Sequence, residues 1–275
     1  MEESSAAGPK SISGEYAKVS DLDIYYERHG IGDPLILLHG GFGSTEMWDG
    51  IIGPLSEDKQ VIAVDLQAHG RTADIKRPLS SEALADDIAA LIRDLGLKNS
   101  DLMGYSFGGY AALRTAIQYP DVVKRLIVVS ISFRRTGMYP EILAEMDERG
   151  LDAEAMKTTP MYESYVRIAP RPQDWPLLVS KMVERQRKDF DWSKDIAKLK
   201  MPIMNIAGDA DNIRTSHVVE FFELLGGGKK DAGWDGSKMS DARLCILPGT
   251  THYNIFSSPA LASAVTRFLN ERANE

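Results

Sequence analysis

A single cysteine among 275 residues, Cys245, leaves no partner for an internal disulfide and no Cys/His cluster for a structural metal. It lies in the apolar stretch Leu244-Cys245-Ile246-Leu247 and reads as a small buried strand residue rather than a reactive thiol. Basic clusters are equally scarce. Thirty-two Lys and Arg against forty Asp and Glu give a net charge of −8, and the pairs Arg134-Arg135 and Lys229-Lys230 read as solvated surface. An acidic balance argues against a nucleic-acid partner, because phosphate neutralisation takes clustered cations. No apolar run reaches the roughly 18 residues that a membrane span needs. Residues 1–8 carry neither a basic stretch nor an apolar core, so no secretory leader is read there and a cytoplasmic setting is expected. What remains is an ordinary globular composition, 43% hydrophobic and 26% charged, long enough for one large α/β domain with an insertion.

The first dozen residues read as a loose tail. Leu22-Asp23-Ile24-Tyr25-Tyr26-Glu27 then alternates like a strand. Pro34-Leu35-Ile36-Leu37-Leu38 and Val61-Ile62-Ala63-Val64 are short apolar runs bounded by turn residues, which suits strands of a parallel sheet buried on both faces. A short helix is placed within 45–56. Leu84, Ile88, Leu91, Ile92 and Leu95 recur at threes and fours, predicting an amphipathic helix capped by Ser80 or Ser81 and stopped by Gly96. Further strands are read at 101–103, 125–130, 202–207 and 244–247, with helices at 106–119, 216–225 and 259–269. This alternation implies a mostly parallel sheet with flanking helices. Residues 132–190 interrupt it with helical stretches and no convincing strand, so a core of 1–131 and 191–275 is expected around a helical lid.

Gly104-Tyr105-Ser106-Phe107-Gly108-Gly109 carries the strongest chemical signal. It matches G-x-S-x-G directly after a predicted strand and opens a predicted helix, the context in which the motif forms a nucleophile elbow. A serine hydroxyl is a weak nucleophile and needs a base, and the base needs an acid to fix its tautomer. Gly208-Asp209-Ala210-Asp211 offers two carboxylates after a predicted strand, of which one must turn away because like charges repel.

With these residues in view, the chain resembles the α/β-hydrolase superfamily over nearly its whole length. His39-Gly40-Gly41-Phe42-Gly43 resembles the family's oxyanion loop, and Asp65-Leu66-Gln67-Ala68-His69-Gly70-Arg71 its D-x-x-G-x-G segment. Gln67-Ala68 departs from that segment, and Thr251 stands before His252 where glycine is common. The resemblance implies a triad of Ser106, His252 and Asp211, with Asp209 shaping the turn. It implies an oxyanion hole from the amides of Phe107 and of Gly41 or Phe42. The end of the preceding strand, Ser130-Ile131-Ser132-Phe133, offers no carboxylate as an alternative acid. His39 is expected in a structural hydrogen bond, His69 outside the chemistry, His29 at the surface, and His217 capping a helix or exposed.

Phe133, Met138, Tyr139, Met156, Met161, Tyr162, Tyr165, Trp175 and Met182 supply apolar side chains to the insertion. Of these, Phe133, Met138, Tyr139, Met161, Tyr162, Tyr165 and Trp175 are the candidate pocket residues for a medium-sized apolar substrate. A second insertion, 226–241, is longer than an ordinary loop. The implied activity is hydrolysis of a small-molecule carboxylic ester, with no cofactor or metal. A lactonase, a C–C bond hydrolase or an acyltransferase would use the same triad. Ser106 argues against the aspartate-nucleophile dehalogenases and epoxide hydrolases. A receptor that senses a small ligand with little turnover is the alternative outside catalysis. Oligomeric state is not encoded in any pattern found.

Overall fold

The computed structural model describes residues 14–271; the stretch read as a tail falls outside them. Among these residues eight strands form one sheet: β1 (Gly14–Val19), β2 (Leu22–His29), β3 (Asp33–Leu38), β4 (Lys59–Val64), β5 (Ser100–Tyr105), β6 (Val123–Val129), β7 (Ile203–Ala210) and β8 (Ala242–Thr251). Their spatial order is β1-β2-β4-β3-β5-β6-β7-β8, antiparallel at β1, β2 and β4 and parallel from β4 onward.

The central strands carry continuous apolar runs, Leu35–Leu38, Val61–Val64 and Leu126–Val129, because both faces are covered. Ile36, Leu38, Ile62, Val64, Leu102, Leu126 and Val128 pack into one core, while Leu35, Leu37, Val61, Ala63, Met103, Ile127 and Val129 pack into the other. The strand period of two splits each run between two layers. Helices α2 (Ser81–Asp94) and α3 (Phe107–Gln118) cover the first face; α1 (Asp49–Leu55) and the C-terminal helix (Pro259–Asn270) cover the second. Ser80 caps α2 by accepting the Ala83 amide at 3.1 Å, and Gly96 follows it with φ of 70°. The residues expected to form one helix after Thr45 divide into a 3-10 turn, Thr45–Trp48, and α1.

Between β6 and β7 the chain runs through α4 (Pro140–Glu148), α5 (Pro160–Ile168), α6 (Trp175–Gln186) and α7 (Ser193–Ile196). Helix α4 buries no residue, and α5 buries only Tyr165. Helix α6 buries Trp175, Leu178, Val179 and Met182, one stripe at helical spacing. After β7, α8 (Thr215–Leu224) leads into 225–241, which has neither helix nor strand, and α9 (Pro259–Asn270) closes the order.

Three expectations change. Strand β1 was not read from the sequence; it pairs with β2 through the turn at Ser20-Asp21. Cys245 is half-buried rather than sealed, on the edge strand β8. The Arg134-Arg135 pair is engaged rather than free, Arg134 with Glu220 at 2.6 Å and Arg135 with Asp147 at 2.5 Å.

Candidate active site

Ser106 sits between β5 and α3 with φ of 49° and ψ of −115°, a conformation that favours glycine. Its neighbours impose it. The Ser106 amide bonds to the Val129 carbonyl at 2.9 Å and the Gly108 amide to the His39 carbonyl at 3.0 Å. A β-carbon on Gly104 would collide with the Gly108 carbonyl, and one on Gly108 with the Leu38 carbonyl. The two glycines therefore let β3, β5 and α3 approach backbone to backbone, and the serine side chain is left projecting.

The ends of β5, β7 and β8 bring three polar side chains into line. Ser106 Oγ lies 3.0 Å from His252 Nε2, and His252 Nδ1 lies 3.0 Å from Asp211 Oδ1. The second carboxylate oxygen of Asp211 accepts from Ser130 Oγ at 2.5 Å and from the Gly208 amide at 3.2 Å. Burial works to raise the Asp211 pKa, but the bond and charge of His252, with Ser130 and Gly208, hold it below its ordinary value. The neighbouring Asp209 turns outward and accepts the Thr250 amide at 3.2 Å, which separates the two carboxylates.

Thr251, the residue that departs from the family pattern, tightens the histidine loop. Its amide donates to Asn254 Oδ1 at 2.8 Å and its hydroxyl accepts the Tyr253 amide at 3.2 Å. Tyr105 donates its hydroxyl to the His252 carbonyl. Neither Ser130 nor Tyr105 was singled out in the sequence. Ser130 lies where an alternative acid was sought, and only its hydroxyl, not a charge, marked it.

Gly40 to Gly43 form a turn closed by the Gly43 amide on the Gly40 carbonyl at 3.1 Å, leaving Gly41 and Phe42 at its centre. Phe42 has φ of 59°. Phe107 begins α3, so its amide belongs to the first turn, which has no acceptor within the helix. A β-carbon built on Gly41 would lie 3.8 Å from Phe107 Cβ and 2.7 Å from Met182 Cε. The turn thus faces both the start of α3 and helix α6.

The remaining histidines are structural. His39 Nε2 accepts the Leu66 amide at 3.0 Å, so the proton is on Nδ1, which faces the Gly40 carbonyl at 2.7 Å. Burial, then the neighbouring His69, pushes its pKa down to about 3. His69 stacks on Phe107 with centroids 4.9 Å apart, and burial pushes it down to about 4. His217 is buried rather than exposed; it accepts the Phe133 amide at 3.1 Å and is also pushed by burial down to about 4. His29 is half-buried, 3.4 Å from Glu27, and not a surface group.

The candidate pocket residues divide. Trp175 packs 5.5 Å from Phe42 and 5.3 Å from both Tyr162 and Tyr165, which joins these rings to the Gly41-Phe42 turn. Phe133 has no accessible surface and stacks on His217 at 4.0 Å, so it offers nothing for a substrate to touch. Met138 packs with Ile213 and Val218 instead, and Tyr139 and Met161 are exposed. Among the described residues no three His, Cys, Asp or Glu side chains are grouped to hold a metal ion. No helix among them is long and apolar enough to cross a membrane.

The fold agrees with comparisons to known proteins. The family model for the alpha/beta hydrolase fold matches residues 33–160. The chain has the α/β-hydrolase fold. It is 25% identical over 190 residues to the sn-1-specific diacylglycerol lipase of Danio rerio, covering 66% of this chain and 60% of that one. Among solved structures, carboxylesterase CesB of Bacillus subtilis superposes with TM-score 0.70 at 19% identity, covering 96% of this chain and 94% of that one. The enol-lactonase of Burkholderia xenovorans LB400 gives TM-score 0.68 at 18% identity, covering 94% and 100%. The chain spans about half the length of the curated relatives it matches.

Proposed function

We propose that this chain is a serine hydrolase of small to medium carboxylic esters. The carrying observation is the continuous line of hydrogen bonds from Ser106 Oγ through His252 to Asp211, each of its two links 3.0 Å long. His252 Nε2 takes the hydroxyl proton as Ser106 Oγ attacks the ester carbonyl carbon. The carbonyl electron pair moves onto oxygen, where the amides of Phe107 and of Gly41 or Phe42 hold the charge. Collapse expels the alcohol, which leaves with the proton from His252, and the acyl group stays on Ser106. Water then gives a proton to His252 and attacks the acyl carbon; the second collapse returns that proton to Ser106 and frees the acid. Asp211 stays ionised throughout and keeps the His252 Nδ1 proton in place. A lactone is the cyclic case of the same chemistry, its alcohol remaining tethered to the acyl group.

Residues 132–190 serve as the lid over a core formed by the chain on either side. Support comes from α6, whose Met182 abuts Gly41 and whose Trp175 packs on Phe42. Phe42 and Tyr162, both half-buried, then furnish apolar surface for the substrate, with the buried Tyr165 and Trp175 packed behind them.

The test is steady-state hydrolysis of p-nitrophenyl acetate, butyrate and octanoate by the native chain and by Ser106→Ala. Multiple turnover that falls by about 10³-fold or more in the variant is expected. Native turnover equal to that of the variant on all three esters would remove this reading.

A further inference from the structure

Arg185 is held unlike most of the sheltered cations of this chain, although the Nε of Arg214 is likewise sealed without an acceptor. Arg71 has Glu46 at 3.1 Å, Arg125 has Asp101 at 2.7 Å, Lys181 has Asp74 at 2.5 Å, and Arg77 is paired with Asp87. Arg185, on α6, has no carboxylate within 4.0 Å among the described residues. Its Nη2 donates to Ser81 Oγ at 3.1 Å, and its Nε is sealed from solvent without an acceptor. Its Cζ stands 5.0 Å from the Phe107 ring and 4.9 Å from the Tyr110 ring. Glu82, the acidic group whose field reaches it, is already paired with Arg114 at 3.3 Å.

Aromatic faces offset part of the cost of withdrawing a guanidinium from water, but they do not satisfy its N–H fork. A guanidinium with one donor, Nε, left without an acceptor suits a carboxylate, the anion that its planar fork matches. The position is informative as well. Phe107 directly follows Ser106, and its ring carries the guanidinium. The other basic groups nearby are spent: Lys181 is tied to Asp74, and His69 is held neutral by burial.

We propose that Arg185 forms an anion subsite, and that the ester this chain cleaves carries a carboxylate at the end directed toward Phe107 and Tyr110. This rests on the serine-hydrolase reading and revises the expectation of a wholly apolar substrate: an apolar body with one anionic end. Arg185 binds and orients; it takes no part in the proton transfers.

The test compares p-nitrophenyl hexanoate with mono-p-nitrophenyl adipate, whose acyl chains match in length and differ by the terminal carboxylate. The native chain is expected to favour the adipate ester. Arg185→Met should lower the adipate-to-hexanoate ratio of kcat/KM by about ten-fold or more, chiefly through KM, and Arg185→Lys should restore part of it. A ratio within about two-fold of native overturns the proposal, because a guanidinium that only pins α6 would move both esters together. Binding is read separately, by calorimetric titration of monomethyl adipate and dimethyl adipate into Ser106→Ala. Preference for the monoester, lost on adding Arg185→Met, supports the subsite; equal binding of the two, or binding of neither, overturns it. Monoester binding by a chain whose native form hydrolyses no ester would keep the subsite and remove the hydrolase reading.

Discussion

Around Ser106 the chain is positioned by backbone meeting backbone, whereas α5 and α6 opposite it are positioned by side chains. At the elbow, Gly104, Gly108 and Gly208 each lie where a β-carbon would strike a carbonyl of another segment. Helix α6 instead docks through Trp175, Leu178, Val179 and Met182, with Lys181 tied to Asp74. The first kind of contact has no freedom: any side chain separates the segments. The second is a sum of replaceable parts, so under the proposed function substrate preference can change there without disturbing the arrangement of Ser106, His252 and Asp211.

The largest expected effect comes from placing a side chain in the rigid half. Gly108→Val would drive its β-carbon into the Leu38 and His39 carbonyls, and we expect little folded protein in the soluble fraction. A cooperative thermal melt near that of the native chain would break the comparison. Next is acid. His39, His69 and His217 have folded pKa values of about 3, 4 and 4, all depressed below the ordinary 6.5 by burial. A group depressed in this way contributes stability that is present above pH 6.5 and is lost as pH falls through the folded value. Each displacement by one pH unit corresponds to about 1.4 kcal/mol, so Tm in scanning calorimetry should fall steadily from pH 6.5 toward pH 4. A flat Tm would mean that these rings are not held neutral. The smallest effect of the three falls on the side-chain half. Trp175→Ala should cost about 3–5 kcal/mol in denaturant unfolding, while Ser106 in the folded variant still reacts with a fluorophosphonate. Loss of that labelling in the folded variant would join the two halves into one unit.

This division also accounts for what the sequence disclosed. Contacts that demand glycine leave a local mark, and Gly104 and Gly108 on either side of Ser106 were legible for that reason. Helix α2 was legible because its apolar period and its Ser80 cap are local too. Strand β1 was not, since Tyr16 and Lys18 face outward and only Ala17 and Val19 enter the core. Ser130 reaches Asp211 across 81 positions and Tyr105 reaches His252 across 147, distances over which no residue pattern carries information. His217 was misread for the same cause: its burial is created by Phe133, 84 positions away, and the same stack removes Phe133 from the pocket.

Ser106 is a non-glycine residue held at φ of 49°. Such a conformation costs on the order of 1–3 kcal/mol, and here the surrounding hydrogen bonds sustain it. The orientation of the hydroxyl is therefore settled when the chain folds, not when a ligand arrives. It follows that selection for greater stability and selection for a hydroxyl at this position pull in opposite directions. Glycine would relax the turn, and a lineage freed from the need for a nucleophile would be expected to drift toward it.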